Sequence, residues 1–317
     1  MRLPLLVILG PTATGKSALG VDLALALEGE IISGDSMQVY QGLDIGTAKI
    51  TPAERKNVPH HLLDIRKPDE SFSVAEFQSL AAEKIEEIAS RGRLPILVGG
   101  TGLYIQSVID DYRFTAQKDS SAYREELFQL AAEKGNAWLH ALLSEVDAPA
   151  AARIHVHDLK RITRALEYYR LTGLRISDNK GAVDPAGSGK YQALLVGLTM
   201  NRPELYARID ARVDQMLEGG LLEEARSLLE KGYHPLSPAL QGLGYRQMIA
   251  HLKNELGYAE AVELLKRDTR RFAKRQQTWF RRDARIHWFE IDKYTDYQIL
   301  LDEIISLTGR TIRNNVE

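Results

Sequence analysis

The 317-residue chain contains no cysteine. Disulfides, thiolate metal sites and cysteine nucleophiles are thereby excluded. An excess of charge of one sign is missing too: 41 Lys and Arg stand against 43 Asp and Glu, a net charge of −2. No global field announces a nucleic-acid partner, so the distribution of charge along the chain has to be read instead. No apolar run approaches the length that spans a bilayer. The first buried stretch begins at Leu3, with no signal peptide before it. A cytoplasmic protein without membrane contact is the expectation. Internal repeats and low-complexity tracts are absent, and the length suits one large domain or two modest ones.

What is present is concentrated near the start. Leu3–Leu9 is an apolar run of the kind buried on both faces of a parallel sheet. Gly10-Pro11-Thr12-Ala13-Thr14-Gly15-Lys16-Ser17 follows and matches G-x-x-x-x-G-K-[ST]. Leu19, Leu23 and Leu27 then mark one side of a helix. Glycines let successive N–H groups turn into one hollow, and the helix adds the positive end of its dipole. Lys16 supplies a mobile cation, and Ser17 offers a hydroxyl to a bound Mg²⁺. The loop recognises a di- or triphosphate, not specifically ATP.

Further apolar runs at 30–35, 61–65 and 94–98 read as strands, with a helix from Ser73 between the last two. This alternation is that of a doubly wound α/β sheet, whose ligands sit at the carboxyl ends of the strands. The phosphate loop, Asp35 and Thr101 all fall at such ends. From about 113 to 188 strand signals vanish. Helices are expected near 121–134, 136–145, 148–154 and 158–172, and the Gly/Asp/Ser-rich segment 177–190 breaks the chain. This stretch reads as a helical insertion. Tyr191–Met200 returns to a strand, and long helices close the protein.

Asp35 has three readings: a Mg²⁺ ligand through water, a general base, or the N-cap of a following helix. Gln38 has an amide suited to a base contact. Thr101, in Gly-Gly-Thr-Gly, can position a substrate or cap the next helix. The strand Ile96-Leu97-Val98 ends without an acid, which weakens the ATPase class. Arg208 and Arg212 form a stripe on an amphipathic helix, and either can clamp a diphosphate. The competing reading is an i,i+4 pair of Glu204 with Arg208. Residues 266–285 hold nine Lys/Arg and two Asp. Arg267, Arg270, Arg271, Lys274, Thr278, Arg281 and Arg285 are expected on one helical side, a track for a polyanion. Lys160, Arg161 and Arg164 form a second basic cluster beside His155 and His157. The two histidines have no third ligand at metal spacing.

Taken together, Gly10–Ser17, Ile32–Tyr40, Asp44-Ile45-Gly46-Thr47-Ala48-Lys49, His61–Ile65, Val98–Tyr104, Arg161–Glu167, Gly244-Tyr245-Arg246-Gln247 and Lys274–Arg281 resemble the bacterial tRNA dimethylallyltransferases nearly end to end. The resemblance implies a P-loop NTPase-like doubly wound parallel sheet, residues 1–112 and 191–317. It also implies a helical insertion, 113–190, that grips the anticodon stem-loop. It further implies transfer of a dimethylallyl group from its diphosphate to N6 of the adenosine 3′ of the anticodon. By resemblance, Asp35 is the general base and Thr101 supports it. Gly10, Pro11, Thr12, Ala13, Thr14, Gly15, Lys16, Ser17 and Arg208 hold the diphosphate, and Ser17 holds Mg²⁺. Asp35, Ser36, Met37, Gln38, Thr101, Arg124, Lys160, Arg161, Ile162, Thr163, Arg164, Gln241, Gly244, Tyr245, Arg246, Lys274, Arg275, Gln276 and Arg281 match positions that meet tRNA. The expected partners are a tRNA anticodon stem-loop and dimethylallyl diphosphate, and the expected state is a monomer. A small-molecule or nucleoside kinase explains the loop and the sheet but not the basic helices. An RNA-binding module with a structural nucleotide leaves Asp35 and Thr101 without a role.

Overall fold

A computed structural model describes residues 2–112, 114, 121–178 and 189–313. The chain separates into two compact units, Met1–Ile109 with Gly189–Glu317, and Asp110–Ser188. Much of the expected break at 177–190 lies outside the described residues.

In chain order the first unit opens with β1 (Leu3–Leu9), α1 (Lys16–Leu27), β2 (Gly29–Ser33), β3 (His60–His61), α2 (Val74–Ser90), β4 (Leu94–Gly99) and α3 (Gly102–Ile109). The second unit holds α4 (Ser121–Lys134), α5 (Asn136–Val146), α6 (Ala148–Ala151) and α7 (Leu159–Thr172). The first unit resumes with β5 (Tyr191–Thr199), α8 (Arg202–Glu218), α9 (Leu221–Glu230), α10 (Tyr245–Leu252), α11 (Tyr258–Phe280), β6 (Ile286–Glu290) and α12 (Tyr297–Thr308). All six strands are parallel, in the order β3-β2-β4-β1-β5-β6.

Strand alternation sends β1 side chains to both faces. Leu6 and Ile8 pack with Leu19, Leu23 and Ile304 of α1 and α12. Leu5, Val7 and Leu9 pack with Phe77, Ile85 and Ile105 of α2 and α3. Burial on both faces is why the run carries no polar residue. A third cluster joins Val39, Tyr40 and Leu43 to α8–α11, through Val213, Ala225, Tyr245 and Leu265. It holds these helices beside the carboxyl ends of the strands.

Three expectations change. The strand expected at 61–65 stops at His61, because Leu62 and Asp64 adopt φ of +61° and +57°, which no β-ladder accommodates. Lys49 Nζ holds the Asp64 carboxylate at 2.6 Å in that bend. The C-terminal segment carries a sixth strand, β6, paired with β5, where only helices were expected. Arg285 lies beyond the end of α11 and pairs with Asp283, so it is not part of the helical stripe.

In the second unit, Leu127, Leu139, Leu143, Ile162 and Leu166 form the core of α4, α5 and α7. Asp147 caps α6 and Asp158 caps α7, each accepting a backbone N–H. Among the described residues, no helix is long and apolar enough to cross a membrane.

Candidate active site

Residues 10–17 link β1 to α1 through three left-handed or near-left-handed positions: Gly10 at φ +142°, Ala13 at +66° and Gly15 at +80°. Gly10 is obligatory, since a Cβ there would collide with the Leu198 carbonyl. Thr14 Oγ1 donates to the Pro11 carbonyl at 2.9 Å and closes the loop on itself. Lys16 begins α1 and donates to the same carbonyl at 2.6 Å. Loss of hydration pulls the Lys16 ammonium down to about 7, aided by the nearby Arg212 and opposed by Asp35.

Asp35 follows β2. Its Oδ1 accepts the Met37 N–H at 2.8 Å, and a turn rather than a helix follows. The helix-cap reading of Asp35 therefore fails. Thr101 follows β4. Its hydroxyl accepts the Ser36 N–H at 3.2 Å and faces Ser36 Oγ at 3.4 Å, tying the end of β4 to the end of β2. Gly99 lets the two strand ends touch, since a Cβ there would strike Gly34.

Three cavities adjoin along this edge. A space of about 80 Å³ is lined by Thr12, Lys16, Ser17, Asp35, Gln38, Gly100, Arg212 and Gln276. A larger one of about 310 Å³ shares Thr12, Asp35, Thr47, Arg212 and Phe272 with it, and adds Met37, Thr101, Ile209, Val213, Met216, Leu243 and Leu265. On the outer side of the loop, about 490 Å³ is lined by Lys16, Ser17, Lys56, Arg208 and Arg212. A cationic hollow thus meets an apolar chamber, with a carboxylate where they join.

Arg212, which the resemblance passed over in favour of Arg208, lines all three cavities. Its Nη1 donates to Thr12 Oγ1 at 3.3 Å. Burial lowers this guanidinium from its usual value, against the pull of Asp35 and then Glu54. Arg208 lines only the outer cavity and pairs with Glu204 at 2.8 Å, so the i,i+4 reading of that pair holds in the structure. Its guanidinium would have to share a partner to reach a diphosphate.

Gln276 is buried, not solvent-facing. Its Oε1 accepts the Thr12 N–H at 2.9 Å and its Nε2 donates to the Gly100 carbonyl at 2.9 Å. One amide fixes the phosphate loop and the Thr101 turn together. Gln38 donates to the carbonyls of Thr47 and Ala48, at 3.2 and 3.4 Å, and accepts from Ser33 Oγ at 3.1 Å. Its amide is occupied within the fold.

The 44–49 turn, lining the apolar chamber with Gly46, Thr47 and Ala48, is held from two sides. The Glu224 carboxylate accepts the N–H groups of Asp44, Ile45 and Gly46 at 2.9–3.1 Å and the Tyr245 hydroxyl at 2.5 Å. Lys49, its side chain buried, bridges Asp44 and Asp64 at 2.7 and 2.6 Å. Tyr245 is therefore an interior support, and Gly244 is the α10 N-cap at φ +90°.

The remaining positions divide. Ser36, Met37, Gln241, Arg246 and Arg275 line the chamber. Lys274 and Arg281 line a different cleft. In the second unit, Lys160, Arg161 and Arg164 are exposed, whereas Ile162 and Thr163 are buried. Arg124 and Arg164 both engage the buried Glu167, at 2.5 and 3.3 Å.

The six-stranded parallel sheet, the phosphate loop after β1 and the acid after β2, one strand removed across β4, define a P-loop-type transferase core. A family model described as IPP transferase matches residues 38–283, and the chain belongs to that family. It is 52% identical over 312 residues to the tRNA dimethylallyltransferase of Heliobacterium modesticaldum, covering 98% of this chain and 97% of that one. It is 51% identical to the Moorella thermoacetica protein of the same name, covering 99% and 98%. Among solved structures, the full-length tRNA isopentenylpyrophosphate transferase of Bacillus halodurans superposes with a TM-score of 0.75 at 44% identity, covering 99% of this chain and 98% of that one. A eukaryotic dimethylallyltransferase acting on tRNA superposes with a TM-score of 0.80 at 28% identity, covering 96% and 80%.

Proposed function

We propose that the protein transfers a dimethylallyl group from dimethylallyl diphosphate to N6 of the adenosine immediately 3′ of a tRNA anticodon. One observation carries this reading: the phosphate hollow and the Asp35 carboxylate line a single cavity that opens into an apolar chamber. A kinase needs no apolar chamber of this size at its phosphate loop.

In this reading the loop N–H groups, Lys16 and Arg212 bind the diphosphate. Ile209, Val213, Leu265 and Phe272 surround the five-carbon group. The adenosine leaves its stack to enter the chamber, as nucleobase-modifying enzymes require. Its N6 attacks C1 of the donor, the C1–O bond breaks, and the N6 proton passes to Asp35. An exocyclic amine is a weak nucleophile, so proton removal as the C–N bond forms lowers the barrier. Lys16 and Arg212 neutralise charge growing on the departing diphosphate. Thr101 and Gln276 keep the two strand ends and the loop in register.

The donor set fits Mg²⁺ in the manner of diphosphate sites. Ser17 lines the same cavity as Lys16 and Asp35, and no cluster of three His, Asp or Glu among the described residues forms a cage of its own. Ser17 and the diphosphate oxygens would hold the ion, whose chemistry is to offset the donor's negative charge. The exposed Lys160, Arg161 and Arg164, with Arg246 and Arg275, supply cations for the RNA backbone. We expect a monomer acting in the cytoplasm.

Incubation with unmodified tRNA and labelled dimethylallyl diphosphate, with Mg²⁺ and without ATP, tests the reading. Label in tRNA supports it. No label in tRNA, with phosphate transfer from ATP to a small acceptor, overturns it.

A further inference from the structure

The short edge strand β3 is a pair of histidines, and strand alternation sends them to opposite faces of the sheet. His61 lies beside Ile32 on the α2 face, where its Nε2 meets the Glu30 carboxylate at 2.7 Å. His60 lies beside Ile31 on the face that α1 covers. There the imidazole and Ser17, in the first turn of α1, line one small cavity.

This cavity measures about 20 Å³ and also takes in Ser33, Gln38 and Val98. Ser17, Gln38 and Val98 line the diphosphate hollow as well, so the two spaces adjoin through them. A volume of this size holds one water, which needs two to four polar partners. Ser17, Ser33, Gln38 and His60 are the polar side chains around it.

What these groups already do assigns their roles. His60 Nδ1 lies 2.8 Å from the Val58 carbonyl. A carbonyl only accepts, so Nδ1 carries the proton and Nε2 keeps its lone pair. Lost hydration lowers this imidazole from its ordinary value, which keeps the ring neutral at pH 7. Gln38 gives its amide N–H groups to the Thr47 and Ala48 carbonyls, and its Oε1 receives the Ser33 hydroxyl proton. His60 Nε2, Ser33 Oγ and Gln38 Oε1 therefore remain as acceptors. Among the described residues, the Ser17 hydroxyl proton is taken by no other group. A water in the cavity accepts from Ser17 and donates to His60 Nε2 and one further oxygen, the usual complement of a buried water.

We propose that His60 is a positioning residue for the divalent cation of the diphosphate site. Through one water, its Nε2 draws the Ser17 O–H inward and leaves the hydroxyl's lone pair turned to the diphosphate hollow. A hydrogen bond behind a metal ligand fixes that ligand's orientation, and losing one typically lowers metal affinity about tenfold to a hundredfold. The inference rests on the reading of the hollow as a Mg²⁺–diphosphate site. Its failure is separable, because the transfer assay above reads label in tRNA whether or not His60 supports the ion.

The test uses the full chain and a non-transferable thiolo-diphosphate analogue of the donor. Calorimetry gives the analogue's affinity at saturating Mg²⁺ and in EDTA, and the ratio is the gain that the ion confers. His60→Asn keeps an N–H for the Val58 carbonyl and removes the acceptor. It should cut the gain about tenfold, with affinity in EDTA within about twofold of wild type. His60→Gln gives up the Val58 contact but places an amide oxygen near the Nε2 position, and should restore most of the gain. Ser17→Ala should lose the gain and make a further His60→Asn silent, since one residue acts through the other. An undiminished gain in His60→Asn, an equal loss in His60→Asn and His60→Gln, or additive losses with Ser17→Ala overturns the proposal. A wild type that shows no Mg²⁺ gain overturns it too, and label in tRNA from that same protein would leave the transferase reading standing.

Discussion

Binding of the diphosphate donor should draw a proton from solution, and Lys16 is the group that takes it. The ammonium stands beside Arg212 and the loop backbone, and its loss of hydration there brings it down to about 7. At pH 8 about nine-tenths of the free protein then carries neutral Lys16, and at pH 6 about one-tenth does. A diphosphate placed against it restores the charged form. Uptake should therefore be about 0.9 proton at pH 8 and about 0.5 at pH 7. Titration calorimetry with a non-transferable thiolo-diphosphate analogue, at pH 8 in two buffers of different ionisation enthalpy, reads this number directly. Uptake below about 0.2 proton in the wild type, or undiminished uptake in Lys16→Met, refutes the reasoning. The same shift sets a stability trend. The folded value lies below the unfolded value of 10.5. The unfolded chain thus binds more protons between those limits, and stability of the donor-free protein rises with pH there, by at most about 1.4 kcal/mol per unit. Below pH 7 the cost of burying the charge is fully present, and Lys16→Met should unfold at a higher temperature than the wild type.

Arg212→Ala should raise KM for the donor about tenfold to a hundredfold, the loss of one charge-assisted contact, while Arg208→Ala changes it less than about threefold because Glu204 already holds that guanidinium; the reverse order contradicts the assignment. Gln276→Leu leaves the Thr12 N–H and the Gly100 carbonyl without partners and should lower kcat about tenfold with tRNA affinity unchanged; an effect confined to tRNA affinity would make it an RNA contact instead. Glu224→Ala removes the acceptor of three backbone N–H groups and the Tyr245 hydroxyl, and urea unfolding should show a loss of about 2–4 kcal/mol; a loss under about 0.5 kcal/mol would mean that the 44–49 turn holds itself.

The core was readable because its physics is local. An apolar run buried on both faces, a loop demanding glycine, and a following helix leave few alternatives for β1, the phosphate loop and α1. β6 was not readable: Ile-His-Trp-Phe-Glu is short, follows a long basic helix, and becomes a strand only because β5 offers an open edge. The choice between Arg208 and Arg212 turns on depth rather than period, since both lie on one stripe, though the Glu204 spacing already pointed to a partner for Arg208. Gln276, matched by resemblance to a position that meets tRNA, is instead buried and holds the phosphate loop. Its spacing from Ala273 and Phe280, both buried, was the signal that placed it on the inner face of α11. Tyr245 and Ile162 likewise sit in motifs that the resemblance matched to RNA-meeting positions, but their side chains are interior supports.

The account stands on Asp35 as the acceptor of the adenine N6 proton, within one cavity with the diphosphate hollow. Asp35→Asn keeps the contact with the Met37 N–H and removes the basicity. Single-turnover transfer with both substrates saturating should slow by about 10²–10⁴-fold, with donor and tRNA affinities within about threefold of wild type. Transfer at the wild-type rate, or a loss explained wholly by weakened binding, would contradict it.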